Sequence, residues 1–437
     1  MNLRAAIFWG RDLLTGGRAR AELAEVKFLN SRSSQATKRR LLLLEHHLAY
    51  VNTYVPYYRD QGVFSNLCDF PVLNKNEIQS MASSMIADGA ERSKLHVATT
   101  SGSTGTPFKV YQDHDKRKRA DAELIYMGQL AGYAIGNPLW YFKLWTRRSS
   151  YSKPVAFARN MRPIDVSKFN ETDALQILRK TRRAKQSISI IAHSSVLETM
   201  ARALQRTNQD VIKPGTLDAI VGQAESLSQP AREILWEKTG VFPVGRYGMQ
   251  ELGILAQQGQ RQEETYLLNL ASYIVEVLKL DSDERASAGE LGRVVVTDLF
   301  NKAQPLVRYD TGDLAVVAVF EEGTGYAESL ERLEGRSRDQ LYDVDDQPIS
   351  PLITYNFWWK FSGIHQYQIV QRKRGHYVMR LEVSNVFDHE EELVNELRKV
   401  VGSRADISIE YATEDFQYAS GKRQTIVSEY TPSVGDL

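Results

Sequence analysis

The chain has 437 residues, 42% of them hydrophobic and 25% charged, with a single cysteine and a formal net charge of +1. That length allows two or three domains around a large core, and the charge balance gives no reason to expect nucleic acid or an acidic membrane surface as a partner. Cys68 alone rules out an internal disulfide and a multi-cysteine zinc site, and it suits a reducing compartment.

The N-terminus reads MNLRAAIFWGRDLL, where Arg11 and Asp12 break the apolar run AAIFWG. That run is too short for a signal-peptide core, and no stretch approaches a membrane span, so a cytoplasmic location is expected. Leu41, Leu44, Leu48 and Val51 recur at helical spacing, and Pro56 closes that helix.

The stretch Thr99–Tyr111, TTSGSTGTPFKVY, places hydroxyl and glycine residues between two apolar runs. Glycines let the backbone approach phosphate oxygens, and successive N–H groups with Ser/Thr hydroxyls supply donors. The lysine of a Walker loop is missing, so this is a candidate phosphate loop of another kind. An ordinary surface loop is the commoner meaning of such a cluster. Ala120, Leu124, Met127 and Ala131 then mark a helix, and the basic run Lys116–Arg119 reads as its solvated start.

Leu139–Trp145 is strand-like and aromatic, suited to core or pocket wall. Ser187–Ala192 reads as a buried strand, with Ser194 capping a helix that presents Leu197, Met200, Ala201 and Leu204. Asp218–Gly222 is a further strand, and Ser228 with Pro230 opens the helix carrying Ile234 and Leu235. This alternation argues for an α/β core. Tyr273–Leu280, Leu291–Thr297 and Leu314–Phe320 suggest a β-rich subdomain. From about Gly335, strands His365–Gln371, Tyr377–Val383 and Ile407–Tyr411 and a helix with Leu393, Val394, Leu397 and Val400 form a compact α+β unit.

Four short segments carry candidate chemistry. In Tyr247-Gly248-Met249-Gln250-Glu251, the tyrosine suits base stacking and the carboxylate suits Mg²⁺, although a tight turn with a solvated glutamate is the plainer reading. In Arg308-Tyr309-Asp310-Thr311-Gly312-Asp313, two carboxylates flank a glycine turn, and the second could accept from ribose hydroxyls. Gly335-Arg336-Ser337-Arg338-Asp339 is a charged linker or a boundary motif. Lys422, behind Gly421, could deliver one positive charge to a phosphate, where an exposed surface lysine is commoner.

The order of these motifs resembles that of the adenylate-forming (acyl-CoA synthetase-like) superfamily. More closely, the chain is similar to the phenylacetate–CoA ligase family, including relatives found with capsule and O-antigen polysaccharide biosynthesis. VPYYRDQGV with FPVLNKNEI, GQAESL at 222–227, AREILWEKTGVFPVGRYGMQELG and GELGRVVVTDLFNKAQPLVRYDTGDLA carry the likeness, which runs from about residue 40 to the end.

The resemblance implies an α/β fold with a large N-terminal adenylation domain of several subdomains (1–334) and a small mobile α+β C-terminal domain (335–437). It implies that Thr100, Ser101, Gly102, Ser103, Thr104 and Gly105 grip the ATP phosphates, that Tyr247 packs on adenine, and that Glu251 helps hold Mg²⁺. Asp313 and Arg336 would address the ribose, Arg338 would be the hinge, and Lys422 would bridge the acid and the α-phosphate. Gln223, Ala224, Glu225, Gly248, Met249 and Gln250 would complete the nucleotide site, with Gly222 and Gln223 also bordering the acyl pocket. His193 would face that pocket or serve as a structural histidine. Gln250 stands where relatives usually have threonine, and Arg338 replaces a common aspartate. A cysteine/histidine metal site thought to occur in some members cannot be built here.

The implied activity is an AMP-forming ligase using ATP and Mg²⁺ to activate a small carboxylic acid. A second nucleophile follows, either the thiol of coenzyme A or an amine. Gln223, His193 and the WYFKLW strand suit a more polar, bulkier pocket than phenylacetate needs, which leans towards secondary or polysaccharide metabolism. The different-class alternative is a non-catalytic nucleotide-binding protein of the same fold. A homodimer is left open.

Overall fold

The computed structural model describes residues 2–100, 108–145, 152–167, 169–207, 209–260, 264–336, 341–349, 361, 364–383, 387–411 and 425–430. Among these, one sheet of twelve strands dominates, and it has two halves of opposite character. In the first half, strands Val244–Met249, Leu217–Gln223, Ile188–His193, Leu139–Lys143 and Met161–Asp165 lie side by side and parallel. Parallel strands buried on both faces read as nearly continuous apolar runs, as Ile188–Ala192 does apart from Ser189. Helix Ser194–Arg206 covers them with Val196, Leu197, Met200, Ala201 and Leu204, beside helix Gln229–Thr239. Ser228 caps the latter by accepting from Ala231 N, with Pro230 in its first turn.

The second half is antiparallel: Gly253–Gln258, Tyr266–Leu268, Ala327–Arg336, Tyr309–Phe320, Leu291–Asp298 and Tyr273–Leu278 follow in that spatial order. The strands expected as a separate β-rich subdomain therefore continue the α/β sheet. Val244–Met249 is the seam, parallel to Leu217–Gln223 on one side and antiparallel to Gly253–Gln258 on the other. A core of Val51, Tyr58, Phe70, Leu255, Val275, Val294 and Val317 joins this half to the long N-terminal helix Ser34–Tyr54.

The smaller C-terminal domain has its own core. Strands Ile364–Lys373 and His376–Val383 form a hairpin, flanked by the parallel strands Ile426–Ser428 and Asp406–Tyr411. Helix Glu390–Val401 packs on them through Leu393, Leu397 and Val401. Among the described residues no helix is long and apolar enough to cross a membrane.

Two local expectations fail. Ser194 is the first residue of its helix, His193 occupies the cap position, and the Ser194 hydroxyl donates to the Glu225 carbonyl at 2.7 Å. The basic run is a solvated helix start only at Arg117 and Lys118. In helix His114–Leu130, Lys116 and Arg119 are each 1% exposed, while Leu124 faces solvent. The buried face of this helix carries Lys116, Arg119 and Glu123 beside Ala122, Met127 and Gly128, so charges stand at the spacing usually filled by apolar residues.

Candidate active site at the sheet seam

The seam strand ends in the turn that carries Glu251. Gly253 follows it with φ +113°, a conformation that favours glycine, and a Cβ there would sit 3.1 Å from the Tyr273 hydroxyl. Three groups clamp the turn. Gln112 Nε2 donates to the Glu251 carbonyl at 2.9 Å, the Tyr273 hydroxyl donates to the Leu252 carbonyl, and the Tyr309 hydroxyl donates to Glu251 Oε1 at 2.9 Å. Glu251 is only 3% exposed, so the solvated-glutamate reading is wrong. Burial and the adjacent Glu251 carboxylate push the Tyr309 phenol well above its ordinary pKa, which keeps it a donor.

Tyr273 is itself held by charge. Lys116 Nζ lies 2.8 Å from its hydroxyl and 2.8 Å from Asp298 Oδ2, both ends of this ion pair being buried. Arg119 donates to Ser272 Oγ at 3.1 Å and to the Ala271 carbonyl at 2.8 Å, and Ser272 donates to Glu123. The apparently spare basic run thus fixes the backbone beside Glu251.

Tyr247 and Asp313 meet next. The Tyr247 hydroxyl donates to Asp313 Oδ2 at 2.8 Å. Burial first, then the Asp313 charge, raises the Tyr247 phenol well above its ordinary pKa. Asp313 follows Gly312, whose φ is +74°, in a turn where Gly312 N donates to Asp310 Oδ1 and Asp313 N to Thr311 Oγ1. In the antiparallel ladder Asp313 lies directly opposite Arg336, so the two residues expected at the ribose are register partners. Gly248 and Gln250 are exposed at the end of the seam strand, and Met249 packs partly on the core.

The candidate phosphate loop joins two paired strands. His96–Thr99 and Lys109–Gln112 form an antiparallel pair, and Thr100 N donates to the Phe108 carbonyl at 2.9 Å. Gln112, at the far end of that pair, is the residue that holds Glu251. Ser101, Gly102, Ser103, Thr104 and Gly105 themselves lie outside the described residues, as do Arg338 and Lys422.

At the carboxyl ends of the parallel strands, His193, Gln223 and Arg246 are ladder neighbours, and Gln223 Nε2 donates to the Tyr141 hydroxyl at 3.0 Å. Gly222 faces the other way, where a Cβ would meet Ser194 Oγ at 3.0 Å. Ala224 has φ +76°, and Glu225 Oε2 accepts from Ser195 N at 3.1 Å, which ties this loop to the helix start. Sequence reasoning gave Tyr309 and Arg246 no role, although both stand inside quoted motifs.

Among the described residues no cluster of three or more His, Cys, Asp or Glu side chains could hold a metal ion. Mg²⁺ is commonly held by one or two carboxylates plus substrate phosphates, so the buried, hydrogen-bonded Glu251 fits such a role.

No family model and no curated protein sequence matches the chain significantly. Solved structures share its fold. A 2-hydroxyisobutyryl-CoA ligase in the postadenylation state, in complex with 2-HIB-AMP, superimposes with a TM-score of 0.68 at 17% identity, covering 91% of this chain and 90% of that one. The same ligase in the thioesterification state, with 2-HIB-AMP and CoA, scores 0.56 over the same coverage. ATP-bound MatB from Rhodopseudomonas palustris scores 0.55 at 14% identity, covering 75% and 66% of the two chains. The anthranilate CoA ligase AuaEII with anthranoyl-AMP scores 0.53 at 16% identity, covering 77% and 67%. The fold is therefore that of the acyl-CoA synthetase-like proteins, a large N-terminal domain with a smaller C-terminal one.

Proposed function

We propose that the protein is an AMP-forming ligase that activates a carboxylic acid with ATP and passes the acyl group to coenzyme A or an amine. The observation that carries this reading is the crossing of two motifs: Tyr309 holds Glu251, and Tyr247 holds Asp313. Chain segments read separately as a metal carboxylate with a base platform and as a ribose acceptor thereby form one site. The ligases of similar fold bind acyl-adenylates, ATP or CoA, which supports the same chemistry here.

In the first step an oxygen of the acid attacks the α-phosphorus of ATP. The bond to the β-phosphate bridging oxygen breaks, and pyrophosphate leaves. In the second, the thiol or amine attacks the acyl carbon and AMP departs with the bonding pair. The protein's part is positioning and charge neutralisation. Asp313 and Arg336 orient the ribose, Tyr247 covers the base, and Thr100 and the loop after it donate to phosphates. Glu251 would hold Mg²⁺, which neutralises charge on the phosphates when bound. Lys422 would stabilise charge between acid and α-phosphate, and rotation about Arg338, between domains 1–334 and 335–437, would withdraw it.

We also assign the setting by resemblance: a cytoplasmic, phenylacetate–CoA ligase-like enzyme of secondary or polysaccharide metabolism, ahead of phenylacetate breakdown, with coenzyme A or an amine as acceptor. Pyrophosphate release is measured over aryl, fatty, hydroxy and amino acids with ATP, Mg²⁺ and hydroxylamine as trap. Release with one acid class, abolished in Lys422→Ala, is the expected result. Silence across the panel from a folded protein that binds ATP overturns the reading.

A further inference from the structure

One face of the parallel half ends in a row of polar side chains. Residues opposite one another in a ladder share a face, as do residues two apart on a strand. By register His193 lies beside Gln223, Gln223 beside Arg246, and Arg246 opposite Gln257. Tyr141 joins through its bond from Gln223, and Lys143, two residues along the same strand, lies over the rings of Tyr141 and Trp145 at 5.6 and 4.6 Å.

Arg246 is the unusual member. It is 8% exposed, its Nε donates to Gln257 Oε1 at 2.7 Å, and its Nη2 is buried without a hydrogen-bond partner. A buried guanidinium with idle donors is costly, and its fork matches a carboxylate. Neither Arg246 nor Lys143 has an ion pair among the described residues. Burial lowers the pKa of both, Arg246 to about 10, because each cation has given up water. Tyr247, the next residue, belongs to the opposite face and bonds Asp313, so the nucleotide contacts assigned to Tyr247 and Asp313 leave Arg246 Nη2 unused.

We propose that Arg246 binds a second carboxylate of the acid substrate, remote from the one activated, so that the enzyme selects dicarboxylic acids. This rests on the ligase reading above. The activated carboxylate is the poorer match for Arg246, because it gives up its charge as the mixed anhydride with the α-phosphate forms. A guanidinium fixed on it would stabilise the ground state over the transition state. A remote carboxylate keeps its charge throughout, and Tyr141 and Gln223 add neutral hydrogen-bonding groups beside it.

Pyrophosphate release is compared for matched acids with and without a terminal carboxylate (butyrate and succinate, valerate and glutarate, hexanoate and adipate). The chains used are the wild type, Arg246→Met and Arg246→Lys. The wild type should favour the dicarboxylate of at least one pair, and Arg246→Met should cut that preference about 10- to 100-fold through KM. Arg246→Lys should retain part of it, and it decides the matter if the Met variant does not fold. Equal losses for both members of every pair, or a wild-type preference for the monocarboxylates throughout, overturn the proposal. Calorimetric titration of the same acids without ATP separates the two readings. Dicarboxylate binding lost in Arg246→Met, with no pyrophosphate from any acid, leaves the anion site and removes the ligase. Pyrophosphate from monocarboxylates with no dicarboxylate binding does the reverse.

Discussion

The hydroxyl of Tyr309 stands 2.9 Å from Glu251 Oε1, across 58 residues of chain. Both side chains are buried, so the carboxylate has exchanged water for a phenol. The bond holds a charged group at a fixed point rather than letting it sweep through solvent, and hydrogen bonds to charged groups are worth about 1.5–3 kcal/mol.

Tyr309→Phe should therefore lower pyrophosphate release about 10-fold or more at saturating ATP, with the fold intact by circular dichroism. Glu251→Gln should lower it further and raise the Mg²⁺ concentration needed for half-maximal rate. A Tyr309→Phe chain with unchanged rate and unchanged Mg²⁺ response would show that Tyr309 does not position the acid.

Asp313 predicts a nucleotide effect of a different kind. Asp313→Ala should raise KM for ATP by roughly 10-fold and erase discrimination between ATP and its 2′-deoxy analogue. Tyr247→Phe, which keeps the ring but removes the hydroxyl and its bonds to Asp313 and Thr311, should give a smaller change in the same direction. Retained discrimination in Asp313→Ala would send the ribose elsewhere.

The Lys116–Asp298 pair is buried at both ends. Removing one partner of such a pair costs about 3–5 kcal/mol, since a charge is stranded in the interior. Lys116→Met should lose stability of that order in urea unfolding, and Lys116→Met with Asp298→Leu should recover part of the loss. Additive losses in the double variant would deny the coupling.

His47 gives a pH prediction. Burial, opposed by Asp298 and reinforced by Lys302 and Lys116, lowers its pKa from 6.5 to about 4. Between those values the unfolded chain binds more protons than the folded one, so stability falls as pH drops from 6.5 towards 4. The loss is about 3 kcal/mol at full extent. His47→Gln should flatten that limb of the pH–stability curve. A limb of unchanged slope would place its cause in other groups.

Much of this architecture can be read from the sequence where burial and apolarity coincide. Ile188, Ile190 and Ala192, and Leu393 with Leu397, are apolar and buried, and periodicity finds them. Lys116, Arg119 and Glu123 are buried too, but as charges paired with Asp298, Glu22 and Glu25 or hydrogen-bonded to Ser272, partners far along the chain. Periodicity cannot see such a stripe, because the same letters spell a solvated face. Tyr309 and Arg246 escaped for a related reason. Their roles depend on which strands are neighbours, and the meeting of the parallel and antiparallel halves at Val244–Met249 is a long-range fact. Glu251 and Asp313 were legible only as members of an ordered series of motifs.

Arg246 and Tyr247 are consecutive residues on the seam strand, and consecutive strand residues have opposite parity. The odd side of this strand serves the Asp313 pair and the even side the Gln223 row. Inserting or deleting one residue ahead of Val244 would exchange the two sides at a stroke, while a two-residue change would restore the parity. The strand can thus vary its letters one at a time but cannot slide by one. Length, more than identity, is the quantity that selection must hold fixed between Thr239 and Glu251.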